Sequence, residues 1–248
     1  MSPSSDRPEA ARLKAQQLRE AEQARARRTR TLVVTGVALA VLALVVGTGI
    51  AVQASRDSTG AVTAAGTPAA PRNLVDGGVL IGQASAPVTV TTYEDFQCPV
   101  CKNFESLSGP TLEQLRTSGR IRVISKPVAI LDRASKDEYS TRSLNAAACL
   151  VDVAPQAYPA FSAALFARQP EEGGAGLPDA ELVTLAQQAG GPDLSTCVRD
   201  RTFEAWTRTT TDQASQDGLQ GTPYVLVNGS PLTNPTPDAL TAAVDAAG

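Results

Sequence analysis

Apolar periodicity divides the chain into four stretches. Residues 1–30 are polar, rich in Ala, Arg and Gln, and carry no apolar face strong enough to predict a packed helix. Residues 32–52 form an uninterrupted apolar run, matching the ~20 residues a helix needs to span a bilayer. Residues 55–72 are Ala/Thr/Gly/Ser/Pro-rich without period, the composition of a tether. Patterned sequence begins near residue 74. Residues 74–81 predict a short hairpin with Gly77-Gly78 at its turn. Pro87 opens a strand over 88–93, a helix follows over 98–117, and the alternation in 120–126 predicts a second strand before Pro127. Helical spacing then dominates, over 138–153, 156–168, 178–190 and 193–217, the last broken near Asp200. A strand over 222–228, a turn at Asn228-Gly229, a strand over 230–233 and a helix from Pro237 to Ala247 close the chain. The order β-α-β, helices, β-β-α predicts an α/β fold, a mixed sheet with helices on its faces.

Charge orients the apolar run. Residues 1–30 carry eight Arg/Lys against four acids, and Arg25, Arg27, Arg28 and Arg30 stand just before the run. The positive-inside rule then keeps the N-terminus in the cytoplasm and places the remainder outside. We divide the chain into a cytoplasmic tail (1–30), a transmembrane signal-anchor helix (31–54), a flexible linker (55–73) and a folded domain (74–248). This predicts a single-pass protein of the cell membrane with its domain extracytoplasmic. A cleaved signal peptide competes, because Val52-Gln53-Ala54 offers small residues where a peptidase cuts; both readings export the domain to an oxidising compartment. Outside residues 1–30 there are 14 basic and 21 acidic residues, a net −7 that argues against nucleic acid as a partner.

The chemistry centres on Cys98 and Cys101. The sequence runs strand, Cys-x-x-Cys, helix, which puts Cys98 at a helix N-terminus, where unpaired N–H groups and the helix dipole favour a thiolate. Such a pair is half of a zinc site or a redox couple. The chain has no histidine, and its other two cysteines, Cys149 and Cys197, stand singly, so no metal site is predicted. As a redox pair, Cys98 on the exposed first turn is the nucleophile and Cys101, one turn on and more buried, resolves the mixed disulfide. The aromatic residues, including Tyr93, Phe96, Tyr158 and Trp206, are expected in the core. Gly173-Gly174-Ala175-Gly176 lacks the following helix that would receive a phosphate, and is taken as a loop.

Tyr93-Glu94-Asp95-Phe96-Gln97-Cys98-Pro99-Val100-Cys101 resembles the active-site stretch of the DsbA-like branch of the thioredoxin superfamily, over residues 74–247. The resemblance implies a thioredoxin fold with a helical subdomain inserted at about 132–203, here preceded by one transmembrane helix. It implies that Gly221-Thr222-Pro223-Tyr224-Val225 is the family's cis-proline loop. Pro223 would face the cysteines and Thr222 would offer backbone groups to an extended substrate. From the residues alone, a trans proline at a strand start serves as well. Three positions depart from the best-known members. Val100 replaces a histidine often found between the cysteines, which implies a less stabilised thiolate and a milder oxidant. Thr92 stands where thioredoxin-like proteins often carry a buried acid, leaving Glu94 and Asp95 as candidates for the proton relay to Cys101, or as plain loop residues. Thr222 is also found before the cis-proline among isomerases and reductases. In an exported domain, Cys149 and Cys197 are taken as a structural disulfide, as in some DsbA-like proteins, rather than a second redox centre.

The expected function is therefore disulfide formation in exported proteins with free thiols. A quinone-linked membrane oxidase of the DsbB or VKOR kind would restore the pair, and no cofactor beyond the redox-active disulfide is implied. The alternatives are a disulfide reductase or isomerase, and a non-catalytic thioredoxin-fold binding module.

Overall fold

The computed structural model describes residues 68–248; the expected tail, membrane helix and most of the linker lie outside them. Among the described residues no helix is long and apolar enough to cross a membrane.

Five strands form one mixed sheet in the order β1-β3-β2-β4-β5: β1 (Val79–Ile81), β2 (Val88–Glu94), β3 (Ile121–Pro127), β4 (Tyr224–Val227) and β5 (Ser230–Pro231). β2 and β3 are parallel, joined by helix α1 (Pro99–Thr117). The β1–β3, β2–β4 and β4–β5 pairs are antiparallel. β2 buries every second residue, Val88, Val90, Thr92 and Glu94, as period-two geometry requires of a strand with one covered face. Val88 and Val90 share a cluster with Phe104, Leu112 and Leu115 of α1 and with Leu240 and Val244 of α7 (Pro237–Ala247).

Between β3 and β4 lies the helical insertion: α2 (Tyr139–Val153), α3 (Tyr158–Ala167), α4 (Asp179–Gln188), α5 (Ser195–Arg199) and α6 (Glu204–Gln216), with short 3-10 turns at Ile130–Arg133 and Pro155–Ala157. α2 is its axis, buried from Tyr139 through Val151, which its run of small residues, Ala146, Ala147 and Ala148, permits. The second core cluster assembles around it and reaches Phe96, Cys98 and Cys101. The expected break near Asp200 occurs at Arg201, whose φ of 49° leaves the helical region.

Two boundaries differ from expectation. The turn in 74–81 is Asp76-Gly77, both at positive φ (51° and 74°), not Gly77-Gly78. It closes only the Val75–Gly78 bridge, because β1 pairs with β3 instead. The last linker residues are docked: Arg72 donates to the Asp152 carboxylate at 2.8 Å, and Asn73 donates to the carbonyls of Val151 and Asp152. Exposed chain thus becomes fixed chain before residue 74.

Candidate active site

Cys98 is the N-cap of α1, with Pro99 at the first helical position. Proline suits that position because its missing N–H would have been unpaired there anyway. Cys101 lies one turn further in, on the buried side. Both cysteines are reduced. Cys98 is less open than the sequence suggested, at 6% exposure against 0% for Cys101. What covers it is the loop before β4. The Thr222–Pro223 peptide bond is cis, and the Cys98 Sγ lies 3.5 Å from the Thr222 carbonyl oxygen. β4 runs antiparallel to β2, with Tyr224 opposite Tyr93, and this pairing carries the cis-proline loop to the end of β2, where the cysteines sit.

The two thiols are strongly unequal. Cys98 is lowered to about 6, first by the hydrogen bond from the Cys101 thiol, then by that from Thr222 and by the backbone N–H groups of Cys101 and Val100, against the cost of burial. Cys101 is pushed far up, by its bond to Cys98, by burial and by the charge of Glu94. One sulfur is thus a thiolate at neutral pH and the other a thiol. That is the asymmetry needed for one to attack or leave while the other waits. Val100, 59% exposed, contributes only its N–H.

Glu94 and Asp95, adjacent in sequence, lead different lives. Asp95 is fully buried, with both oxygens engaged. Oδ1 accepts from the Gln97 N–H at 2.9 Å and the Ser140 hydroxyl at 2.6 Å, and Oδ2 accepts from the Leu131 N–H at 3.0 Å. It ties the active-site loop to the insertion. Burial raises it to about 6, opposed by those three donors. Glu94 points to the other face, under α1. Its Oε1 has no partner. Burial and the neighbouring Glu105 carboxyl push it well above the ordinary range. Glu105 is pushed up by burial, opposed by its interaction with Glu94, so two carboxyls with raised values stand together beside Cys101. Thr92, two residues back on the same face, opposes the rise at Glu94 with its hydroxyl. Of the two relay candidates, Glu94 is the one placed against Cys101.

Three residues of the site escaped the sequence reading. Glu105 lies four residues after Cys101, one helical turn, and that spacing was the available signal. Gln169 donates from its amide to the Phe96 carbonyl at 3.1 Å and the Cys98 carbonyl at 2.9 Å. Gln97, fully buried, reaches the Gly174 carbonyl at 3.4 Å. The 171–177 loop it touches is held by the buried Arg142 guanidinium, which donates to the Ala175 and Leu177 carbonyls and pairs with Asp179. Nothing local in the sequence announces Gln169, and Gln97, although inside the cysteine motif, finds its partner only in the folded insertion.

Cys149 and Cys197 form a disulfide joining α2 to α5, with a Cα separation of 6.0 Å. Among the described residues there is no cluster of His, Cys, Asp and Glu that could hold a metal.

The profile of the thioredoxin family matches residues 74–246. Among solved structures, reduced DsbA of Mycobacterium tuberculosis is 34% identical with a TM-score of 0.59, covering 72% of this chain and 91% of that one. Reduced DsbG of the same organism, a disulfide bond oxidoreductase, is 34% identical with a TM-score of 0.60, covering 72% of this chain and 86% of that one. The serine/threonine-protein kinase PknE of M. tuberculosis is 32% identical over 171 residues, which is 65% of this chain and 30% of the kinase. The chain thus spans under a third of the length of the curated relatives it matches. From the family match and the two mycobacterial neighbours together, the chain belongs to the DsbA-like branch of the thioredoxin family.

Proposed function

We propose that the protein is an extracytoplasmic thiol:disulfide oxidoreductase that introduces disulfides into exported proteins through Cys98 and Cys101. The observation that carries this is the inequality of the two thiols beneath a cis Thr222–Pro223 bond. In the oxidised enzyme a substrate thiolate attacks the Cys98 sulfur and the Cys98–Cys101 bond breaks. Cys101 leaves with the electron pair, and the Glu94–Glu105 pair supplies its proton. A second substrate thiolate then attacks the substrate sulfur of the mixed disulfide. Cys98 departs as the thiolate that its surroundings favour, and the substrate leaves with a disulfide. Thr222, at the edge of the cis-proline loop, supplies backbone groups to an extended substrate.

The thiolate supports this direction. A reduced form stabilised by a Cys98 thiolate makes the disulfide a better oxidant. A value of about 6 falls between thioredoxin, near 7, and the strong oxidase DsbA, near 3.5. We place the reduction potential between theirs, in the range of about −120 to −270 mV, as Val100 in place of a histidine suggests. Reoxidation is assigned to a quinone-linked membrane oxidase of the DsbB or VKOR kind. The apolar run 32–52 is assigned to anchoring the domain beside it.

The test pairs two measurements. A Cys101→Ser variant, unable to resolve, is expected to accumulate mixed disulfides with exported proteins at Cys98. Equilibration with glutathione gives the potential. A value at or below thioredoxin's would overturn the oxidase direction in favour of reduction, and capture of small thiols alone would remove the protein-folding role.

A further inference from the structure

The helical insertion leaves a cavity against the sheet that the thiol chemistry does not use. Its volume is about 170 Å³. One wall is the α2 face carrying Leu144, Ala147, Ala148 and Val151, whose spacing of three and four residues puts them on one side of the helix. The facing wall is α6, with Trp206 and Ala214. The chain at Gly77 and Gly78 and the end of β3 complete it. Gly77, Gly78, Ala147, Ala148 and Ala214 in its lining contribute little side chain. Gly78 lets its backbone pack directly on β3, where an added Cβ would lie 2.7 Å from the Ser125 carbonyl oxygen.

The rim carries two opposite charges that do not pair with each other. Lys126 on β3 stands beside Tyr93 on β2, its Nζ 5.8 Å from the centre of the Tyr93 ring. Asp217, just past α6, accepts from the Gln213 side-chain amide at 2.9 Å. Neither forms an ion pair among the described residues. Both flank Tyr93, whose phenol is pushed up by burial and then by the charge of Asp217. Tyr93 points to the face of β2 opposite Glu94, because successive strand residues alternate, and neither Cys98 nor Cys101 lines the cavity.

An apolar cavity of roughly 150 Å³ is large enough for a benzene ring. One cation and one anion at its mouth match a molecule with an apolar body and both a carboxylate and an ammonium at one end. We propose that the cavity binds a free apolar or aromatic α-amino acid, with its side chain between α2 and α6, its carboxylate toward Lys126 and its ammonium toward Asp217.

Trp206 is the only tryptophan in the chain and lines the cavity, so its emission reads occupancy. The full-length chain, held in lipid nanodiscs, is titrated with L-phenylalanine and L-leucine. Phenylalaninamide and 3-phenylpropionate, each lacking one charge of the zwitterion, and neutral benzyl alcohol serve as comparisons. We expect saturable shifts with both amino acids and binding of the single-charge analogues about threefold or more weaker, the scale of an exposed ion pair. Lys126→Gln should weaken phenylalanine by a similar factor and leave phenylalaninamide, which has no carboxylate, unchanged. Ala148→Leu should fill the space and remove the saturable shift. Wild-type rates of thiol oxidation in both variants verify the fold; if Ala148→Leu does not fold, the ligand series and Lys126→Gln decide. No saturable shift, equal affinity for phenylalanine and benzyl alcohol, or equal affinity for phenylalaninamide would overturn the proposal, the last pointing to a peptide N-terminus instead.

Discussion

The sulfur of Cys98 sits 3.5 Å from the carbonyl oxygen of Thr222, although 124 residues separate them. The contact joins the two ends of the fold. The helix N-terminus supplies N–H groups to the sulfur from one side, and the cis-proline loop supplies the Thr222 side-chain hydroxyl from the other, while the Thr222 carbonyl accepts only from the protonated thiol.

A thiolate with a value of about 6 has a pH signature. Alkylation of Cys98 by iodoacetamide should rise with a midpoint near pH 6, while Cys101 stays unreactive through neutral pH. Because the folded value lies below that of a free thiol, about 8.5, the thiolate stabilises the reduced protein fully above pH 8.5. That stability is lost as pH falls toward and below 6. Thr222→Val keeps the shape and deletes the hydroxyl, and should move the midpoint upward. An unchanged midpoint would remove Thr222 from the set of stabilising donors.

Glu94 and Asp95 should separate cleanly. Glu94→Gln removes a carboxyl whose folded value is raised. The wild-type group favours the fold below pH 4 and opposes it as pH rises through the folded value, so the variant should be as stable or more stable at pH 7. It should nevertheless slow the step at Cys101 by roughly 10²-fold, the low end for a positioned proton carrier. Asp95→Ala leaves the Gln97 and Leu131 N–H groups and the Ser140 hydroxyl unpaired, at about 3 kcal/mol or more. Urea unfolding and stopped-flow resolution of a mixed disulfide distinguish the two. Equal effects on both readouts would contradict the division of roles.

Gln169→Ala removes the donor to the Phe96 and Cys98 carbonyls. A loss of about 1–2 kcal/mol is expected, together with a changed rate of Cys98 alkylation at fixed pH, because the loop carrying Cys98 loses its tie to the insertion. Gln169→Glu should not rescue it, since a carboxylate has no N–H to donate.

Replacing Cys149 and Cys197 together by alanine opens a cross-link with a sequence separation of 48. The chain-entropy model assigns that loop about 4 kcal/mol, or a Tm lower by about 10 °C for a domain of this size. Thiol oxidation at 20 °C should be retained within about twofold. Loss of activity in a still-folded variant would instead point to a second redox centre.

Much of this architecture is legible from local pattern. The alternation of 88–93, the Pro99 start of α1, the helical spacing through the insertion and the Asn228-Gly229 turn each depend on a few neighbouring residues and on backbone sterics. So does the placement of Cys98 at a helix N-terminus, which follows from strand, cysteine and proline standing in that order. Other features depend on what is far away in the chain. β1 could pair within its own hairpin or with β3, and the open edge of the sheet beside β3 decided it. Glu94 and Asp95 are equivalent as neighbouring acids. They diverge because β2 ends at Glu94: Glu94 keeps the buried strand face under α1 beside Cys101 and Glu105, and Asp95, in the loop that follows, turns to Leu131 and Ser140 of the insertion. Gln169 touches Cys98 only because α3 folds back over the active-site loop, and the cavity beside Trp206 is lined by residues from segments far apart in the chain, Gly77 and Gly78, Ala147 and Ala148, and Ala214 among them. Local geometry chooses the elements. Burial, charge pairing and empty space are properties of their assembly, and those set the proton, the thiolate and the second pocket.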